Sequence, residues 1–206
     1  MQAVILAAGN SARLGDLTRD RPKCLIEVDG RPLISYSLAY LGAAGISEVI
    51  IVTGYRGDVL RSTLGAGLSG LPVRYVDNPD YADTGSVISL LAAAREIRSS
   101  PFLLLESDLL YHPDFLSVAL GDHRDNVILV ADPTGSGDEV FICADEGGAL
   151  SFLGKSAPDD IRADSIGEFA GITRLSRSAL RDYCSAAETL RREDEARGHY
   201  EELIYA

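Results

Sequence analysis

The sequence is short of cysteine, of positive charge and of long apolar runs, and each shortage removes a class of protein. Its three cysteines, Cys24, Cys143 and Cys184, are odd in number and never in C-x-x-C spacing. That argues against a disulfide framework and a cysteine-built zinc site, and points to a reducing cytoplasm. The three read as buried or half-buried thiols. Lysine and arginine number 19 against 31 aspartates and glutamates, a formal charge of −12. Nucleic acid, itself anionic, is a poor partner for such a chain. No apolar run reaches the roughly 18 residues of a membrane span. The apolar start has no basic segment before it and runs into a charged loop, so it reads as a buried strand rather than a signal peptide. His112, His123 and His199 form no pattern and read as surface residues. Also missing are G-x-G-x-x-G, which disfavours a dinucleotide fold and an NAD-dependent oxidoreductase, and G-x-x-x-x-G-K-[ST], which disfavours a P-loop NTPase.

What is present is an alternation of strand and helix. With 206 residues the chain fits one domain with a sizeable core. Ala3 to Ala7 is a continuous apolar run, the mark of a central parallel strand. Asp29-Gly30 makes a turn, and a helix is expected from Pro32 to Ala44, stopped by Gly45. Strands follow at Glu48 to Thr53, Val73 to Val76, Pro101 to Leu105 and Val127 to Val130. Helices are expected at Asp58 to Leu64, Thr84 to Ile97 and Pro113 to Leu120. Beyond Pro133 the pattern changes to short strands with Gly-rich turns, at Glu139 to Cys143, Ala149 to Leu153 and Phe169 to Arg174. A charged amphipathic helix from Ser178 to Arg197 comes last. The reading is one α/β domain over residues 1–206, with a βαβ half at 1–132 and a small mixed β half at 133–206. The abrupt acidic and apolar end, HYEELIYA, suggests a domain from a longer protein.

The strongest local signal is the stretch Leu6-Ala7-Ala8-Gly9-Asn10-Ser11-Ala12-Arg13, continued by Leu17-Thr18 and Pro22-Lys23. Small residues directly after a buried strand let a ligand come close to the backbone, whose successive N–H groups can cradle phosphates. Arg13 offers a bidentate guanidinium and Lys23 a compact charge. Arg19 and Arg21 complete a local basic cluster in an acidic chain. The alternative is an ordinary tight strand-to-helix turn. A second signal is Glu106-Ser107-Asp108 at the C-terminal end of an apolar strand, the edge where open α/β sheets bind ligands. A carboxylate there suits magnesium, which takes one or two carboxylates plus phosphate oxygens. Asp108 could otherwise be a helix cap. A third is Asp77-Asn78-Pro79, followed by Thr84-Gly85-Ser86 and Ser89, where Thr84 to Ser86 could simply cap the next helix.

The stretch LAAGNSARLGDLTRDRPKCL closely resembles the signature of the sugar nucleotidyltransferase superfamily, LAAGxGxRLxxLTxxxPKxL, with Ser11 in place of a glycine. The resemblance is nearest to short CTP-dependent cytidylyltransferases acting on phosphocholine or 2-aminoethylphosphonate. It implies a Rossmann-like nucleotide-diphospho-sugar transferase fold, with a mostly parallel central sheet and a small mixed β acceptor region. It implies that the Leu6 to Ser11 loop binds the nucleotide, that Arg13 and Lys23 hold phosphates, and that Arg13 steadies departing pyrophosphate. Asp108 resembles the metal aspartate of that family, here with Ser107 where a glycine usually stands. A second metal carboxylate is expected late in the chain, at Glu202 in preference to Glu201. Asn78, Thr84, Gly85 and Ser86 are expected at the nucleotide, with Ser89 bordering the acceptor.

The acceptor side is drawn from the second half. Lys155 could bind an acceptor phosphate. Asp132 and Glu168 could face a cationic head group, with Tyr111 or Phe169 adding cation–π contact. No general base is needed, because a phosphate or phosphonate oxygen is already ionised near pH 7, leaving positioning and charge neutralisation. The expected activity is magnesium-dependent transfer of CMP from CTP to a small phosphorylated or phosphonylated acceptor. The alternatives are a sugar- or inositol-1-phosphate nucleotidyltransferase, with CTP, UTP or dTTP, and a non-catalytic nucleotide-binding module.

Overall fold

The structure, a computed structural model, describes residues 1–10, 12–68, 70–137, 139–155 and 164–192, with only the backbone of residues 12, 13, 68 and 192. The order of elements begins with β1 (Gln2–Ala7), β2 (Glu27–Val28), β3 (Arg31–Pro32), α1 (Leu33–Ala43), β4 (Glu48–Thr53), α2 (Gly57–Leu64), β5 (Gly67–Leu68) and β6 (Leu71–Asp77). It continues with α3 (Ser86–Ala93), β7 (Phe102–Glu106), α4 (Asp114–Gly121), β8 (Val127–Ala131), β9 (Phe141–Ala144), β10 (Leu150–Gly154), β11 (Gly167–Leu175) and α5 (Arg177–Arg192).

Alternate side chains of a strand face opposite sides of its sheet, and here they feed two cores. Ala3, Ile5 and Ala7 of β1 join Leu103 and Leu105 of β7 under α1, α2 and α4. Val4 and Leu6 join Phe102 and Leu104 against α3 and α5, whose Val87, Leu90, Leu180 and Tyr183 are buried there. Continuous apolar runs in β1, β4 and β7 follow from this double burial.

Strands run in the order β10-β9-β11-β7-β1-β4-β6-β5, with β8 paired to β11. β6, β4, β1 and β7 are mutually parallel. The chain builds outward from β1 through β4 to β6, then crosses back to place β7 on the other side of β1. The crevice between the C-terminal ends of β1 and β7 is therefore the switch point of the sheet, the usual place of a ligand.

The expected α/β fold with a parallel centre is present. β8 to β11 are not a separate layer: β11 pairs antiparallel with β7, and α5 lies on α3, so the second half completes the same sandwich. Against β8, β11 shifts register between Phe169 and Thr173. Gly171 sits in that bulge with φ 76°, and a Cβ there would lie 2.6 Å from Leu109 Cδ2. The glycine thus lets β11 close against the residue that follows Asp108.

The helix expected from Thr84 to Ile97 is shorter, Ser86–Ala93. The chain then turns so that Ile97 enters the core, and the Arg98 and Ser99 amides donate to Gln2 Oε1 at 2.6 and 2.9 Å. A buried glutamine side chain on β1 takes the chain out of the helix although its apolar spacing continues. The β2–β3 hairpin around Asp29-Gly30 was not expected beyond its turn.

Candidate active site

The phosphate-loop sequence opens at the switch point. Ala8 is buried where β1 ends, while Gly9 and Asn10 are exposed. A Cβ on Gly9 would meet nothing within 4 Å, so the protein's own packing does not ask for glycine there. The chain then forms a 3₁₀ stretch, Ala12–Thr18, kinked at Gly15, and Thr18 is buried beneath it. Ser11 and the Arg13 side chain lie outside the described residues.

A second 3₁₀ turn, Lys23–Leu25, follows Pro22 and buries Cys24 and Leu25. With its neighbours anchored in the core, Lys23 is directed into the crevice, where its Nζ forms an ion pair with the carboxylate of Asp108. Asp108 reaches the same point from the loop after β7, with its side chain 26 % exposed and that of Lys23 41 % exposed. The two charged groups singled out in the sequence thus meet across the switch point. Burial, with the Asp108 carboxylate second, pushes the Cys24 thiol up to about 12, so it stays protonated and unreactive at neutral pH. Among the described residues, no group of three or more His, Cys, Asp or Glu side chains could hold a metal ion by itself.

The Asn78 cluster lies at the end of β6. Asn78 is 1 % exposed, and its amide donates to Thr84 Oγ1 at 3.3 Å and Ser89 Oγ at 3.1 Å. Its Oδ1 accepts from the Asp80 amide at 3.0 Å, and Thr84 Oγ1 donates to the Asp80 carbonyl at 2.7 Å. Asn78 and Ser89 therefore brace the loop that leads into α3. Gly85 is the N-cap, and no side chain caps the helix, so neither Thr84 nor Ser86 plays the capping part. The start of α3 carries the partial positive charge of a helix N-terminus.

Two residues that sequence reasoning missed stand at the end of β4. A Cβ on Gly54 would lie 2.6 Å from Tyr81 Cβ and 2.7 Å from the Ala8 carbonyl oxygen. Glycine is required there by the close approach of the phosphate loop. Tyr55 follows: its amide donates to the Ala8 carbonyl at 3.0 Å and its hydroxyl to the Arg19 carbonyl at 2.5 Å. Tyr55 also lines a groove of about 360 Å³ with Asn10, Gly15, Asp16, Thr18 and Arg19. The available signal was Gly-Tyr directly after a buried strand, at the same sheet edge as the loop. Arg56 adds a guanidinium beside the Tyr55 ring, 5.9 Å from its centroid. Another groove, about 390 Å³, lies between Ala94 and α5, at the other end of α3 from Ser86.

On the acceptor side, β8–β11 pairing sets Glu168 opposite Ala131, next to Asp132. Glu168 Oε2 accepts from the Thr134 amide at 2.8 Å and its hydroxyl at 3.1 Å, while Asp132 is exposed. Lys155 follows β10 and is half-buried. The proposed aromatic partners do not come together. Tyr111 packs edge-on against Tyr40, 5.5 Å between centroids, in the core under α1. Its hydroxyl is pushed up to about 12 by burial. Phe169 packs against the other core. Glu201 and Glu202 lie outside the described residues.

Residues 3–195 match the family described as MobA-like NTP transferase domain. Over 99% of its length the chain is 29% identical to a CMP-5'-(3-aminopropyl)phosphonate synthase of Streptomyces rubellomurinus, of which it covers 33%. A choline-phosphate cytidylyltransferase of Streptococcus pneumoniae is 38% identical over 48% of this chain and 42% of that protein. The chain thus spans about a third to two fifths of these two relatives. The solved inositol-1-phosphate CTP transferase from T. maritima has the same fold, with a TM-score of 0.76 at 19% identity, over 99% of this chain and 79% of that one.

Proposed function

Since the chain belongs to the MobA-like NTP transferase domain family, we propose that it transfers CMP from CTP to a small phosphorylated or phosphonylated acceptor and releases pyrophosphate. The observation that carries this reading is the meeting of Lys23 and Asp108 at the switch point of the sheet, where the chain leaving β1 is exposed at Gly9 and Asn10. A triphosphate needs a backbone it can approach, fixed positive charge, and a carboxylate to share its metal, and all three converge there.

In this reading the backbone from Leu6 to Gly9 lies along the base and ribose. Lys23 and Arg13 neutralise phosphate oxygens, and Arg13 steadies pyrophosphate as it leaves. Thr84, Gly85 and Ser86 bring the start of α3 to the nucleotide, held in place by Asn78 and Ser89. Asp108 would hold magnesium, an ion that takes one or two carboxylates and keeps phosphate oxygens and water as its other ligands. When bound, that ion supplies charge neutralisation on the triphosphate. Glu202 is the second carboxylate of this proposal. Arg191, near the end of α5, pairs with Asp80 at 3.0 Å, which ties α5 to the loop after β6.

The reaction itself asks little covalent help of the protein. An acceptor oxygen attacks the α-phosphorus, an O–P bond forms, and the P–O bond to pyrophosphate breaks with its electron pair. The acceptor oxygen is already ionised near neutral pH, so rate comes from alignment and charge stabilisation. The phosphonate- and choline-phosphate-specific relatives support an amine-bearing acceptor, 2-aminoethylphosphonate or phosphocholine. Exposed Asp132 is the described carboxylate offered to such a cation, with Lys155 for the acceptor's anionic group.

The test is pyrophosphate release in magnesium, with each common NTP crossed against 2-aminoethylphosphonate, phosphocholine, inositol 1-phosphate and glucose 1-phosphate. Turnover with CTP and an amine-bearing acceptor is expected. Turnover confined to a sugar or inositol phosphate contradicts the acceptor assignment. Tight NTP binding without turnover in any combination contradicts the enzymatic reading.

A further inference from the structure

Tyr55 touches the phosphate loop at two places, and neither contact depends on the nature of the loop's own side chains. Its amide donates to the carbonyl of Ala8, where β1 ends, at 3.0 Å. Its hydroxyl donates to the carbonyl of Arg19, just past the 3₁₀ stretch, at 2.5 Å. One residue anchored on β4 therefore ties the two ends of the loop. Its own placement is fixed. Gly54 before it leaves no room for a Cβ, so β4 runs hard against Ala8 and Tyr81. The rings of Tyr55 and Tyr81 stand 6.5 Å apart, and the Arg56 guanidinium lies over the Tyr55 ring, 5.9 Å from its centroid. The Tyr55 ring also forms a wall of the groove whose other sides are Asn10, Gly15, Asp16, Thr18 and Arg19.

We infer that Tyr55 is a positioning residue of the nucleotide site: a strap across the Ala8 and Arg19 ends of the loop that holds it in the shape the triphosphate requires. The role in nucleotide binding rests on the proposed function; the strap itself does not. Without the hydroxyl bond, the Arg19 end is held through Gly15, Thr18 and exposed ion pairs, among them Arg19 with Asp16 and Arg56 with Asp20. Exposed pairs of this kind constrain little. The loop then samples open shapes, and a ligand that needs the closed shape binds in proportion to the closed fraction.

The experiment uses Tyr55→Phe, which removes one hydroxyl and keeps the ring. The first readout is independent of any ligand: the rate of tryptic cleavage after Arg19, with hydrogen exchange over residues 9–21, both at a temperature far below unfolding. Cleavage and exchange in the loop are expected to rise about fivefold, the loss that one hydrogen bond between neutral groups accounts for, with the melting temperature lowered by no more than about 2–4 °C. The second readout is the KM and Kd for CTP, expected to rise by the same factor while the KM for the acceptor stays at the wild-type value. Wild-type loop protection in Tyr55→Phe overturns the strap. Raised loop cleavage with unchanged CTP binding overturns its role at the nucleotide. A melting temperature that falls in step with every kinetic constant makes Tyr55 a general structural residue and also overturns the inference. Failure of the wild-type protein to bind any NTP strikes the proposed function and leaves the cleavage result standing on its own.

Discussion

Gly54 and Gly9 sit on either side of the same loop, yet substitution to alanine should separate stability from binding. A Cβ on Gly54 would stand 2.6 Å from Tyr81 Cβ and 2.7 Å from the Ala8 carbonyl oxygen. Carbon atoms pack at about 3.5–4.0 Å, so the overlap is close to an ångström, and although a rotamer change could move Tyr81 Cγ, also 2.7 Å away, it cannot move Tyr81 Cβ or the Ala8 carbonyl. Overpacking of this kind costs about 1–3 kcal/mol. Displacing Ala8 also strains its 3.0 Å hydrogen bond from Tyr55, worth about 1 kcal/mol more. The sum is roughly 2–4 kcal/mol. For a chain of this size each kcal/mol moves the melting temperature by about 2–4 °C, so Gly54→Ala should melt roughly 4–16 °C below wild type. Gly9→Ala meets nothing within 4 Å and needs no left-handed backbone. It should melt with or slightly above wild type, because alanine lowers the entropy of the unfolded chain by about 0.4–1 kcal/mol. Its NTP affinity should nevertheless fall, because the new methyl projects where the ligand must approach. Thermal unfolding and titration with CTP, run on both variants, make the comparison. A Gly54→Ala protein that melts with wild type refutes the packing argument. A Gly9→Ala protein that binds CTP with full affinity refutes the claim that the loop's open face is the nucleotide surface.

Three further outcomes are expected. Asn78→Ala strands the bracing of Thr84 and Ser89; it should cost about 1–3 kcal/mol in urea unfolding and raise the KM for CTP, and an unaltered KM would detach this loop from the nucleotide. Gly171→Ala meets both a left-handed φ and the Leu109 side chain. It should destabilise by about 1–3 kcal/mol, and Leu109→Ala in the same chain should recover the steric share, with no recovery contradicting the contact. Glu48 is held below the usual carboxylate range by the Gln2 amide first and then by Arg74, and Asp77 by the Thr53 hydroxyl and then Arg61. Folded values below unfolded ones of about 4 mean that the folded state binds fewer protons. This stabilisation is complete above that range and is lost as pH falls through it. Urea midpoints measured from pH 7 down to 3 should fall less steeply in Glu48→Gln than in wild type, and equal slopes would dismiss Glu48 as a source of acid sensitivity.

How far the sequence could be read depended on the kind of contact involved. β1 and β4 were legible almost to the residue, because strands covered on both faces need unbroken apolar runs. Lys23 was legible as a charge in the loop motif and Asp108 as one at a strand end, but their meeting was not. It follows from the crossover that sets β7 beside β1. Tyr55 escaped because it acts on main-chain carbonyls, which leave no complementary residue type in the sequence. Asn78 and Ser89 were legible as polar residues near a helix start, but not their bonding to each other, which needs the turn after β6. On the side expected to take the acceptor, β8–β11 pairing sets Glu168 opposite Ala131, the residue before Asp132. Tyr111 packs into one core from the loop after β7 and Phe169 into the other from β11, and a loop residue carries no strand period from which its side could be read.

The central claim is transfer of CMP to an amine-bearing phosphonate or phosphate through a site at which Lys23 and Asp108 meet. Its most direct test is detection by mass of the CMP–acceptor product from CTP, magnesium and 2-aminoethylphosphonate or phosphocholine, in wild type and in Asp108→Asn with its fold verified by melting temperature. The account predicts a product with equimolar pyrophosphate in wild type, and a loss of at least a hundredfold in Asp108→Asn at an unchanged melting temperature. Product formed at the wild-type rate by Asp108→Asn would contradict it.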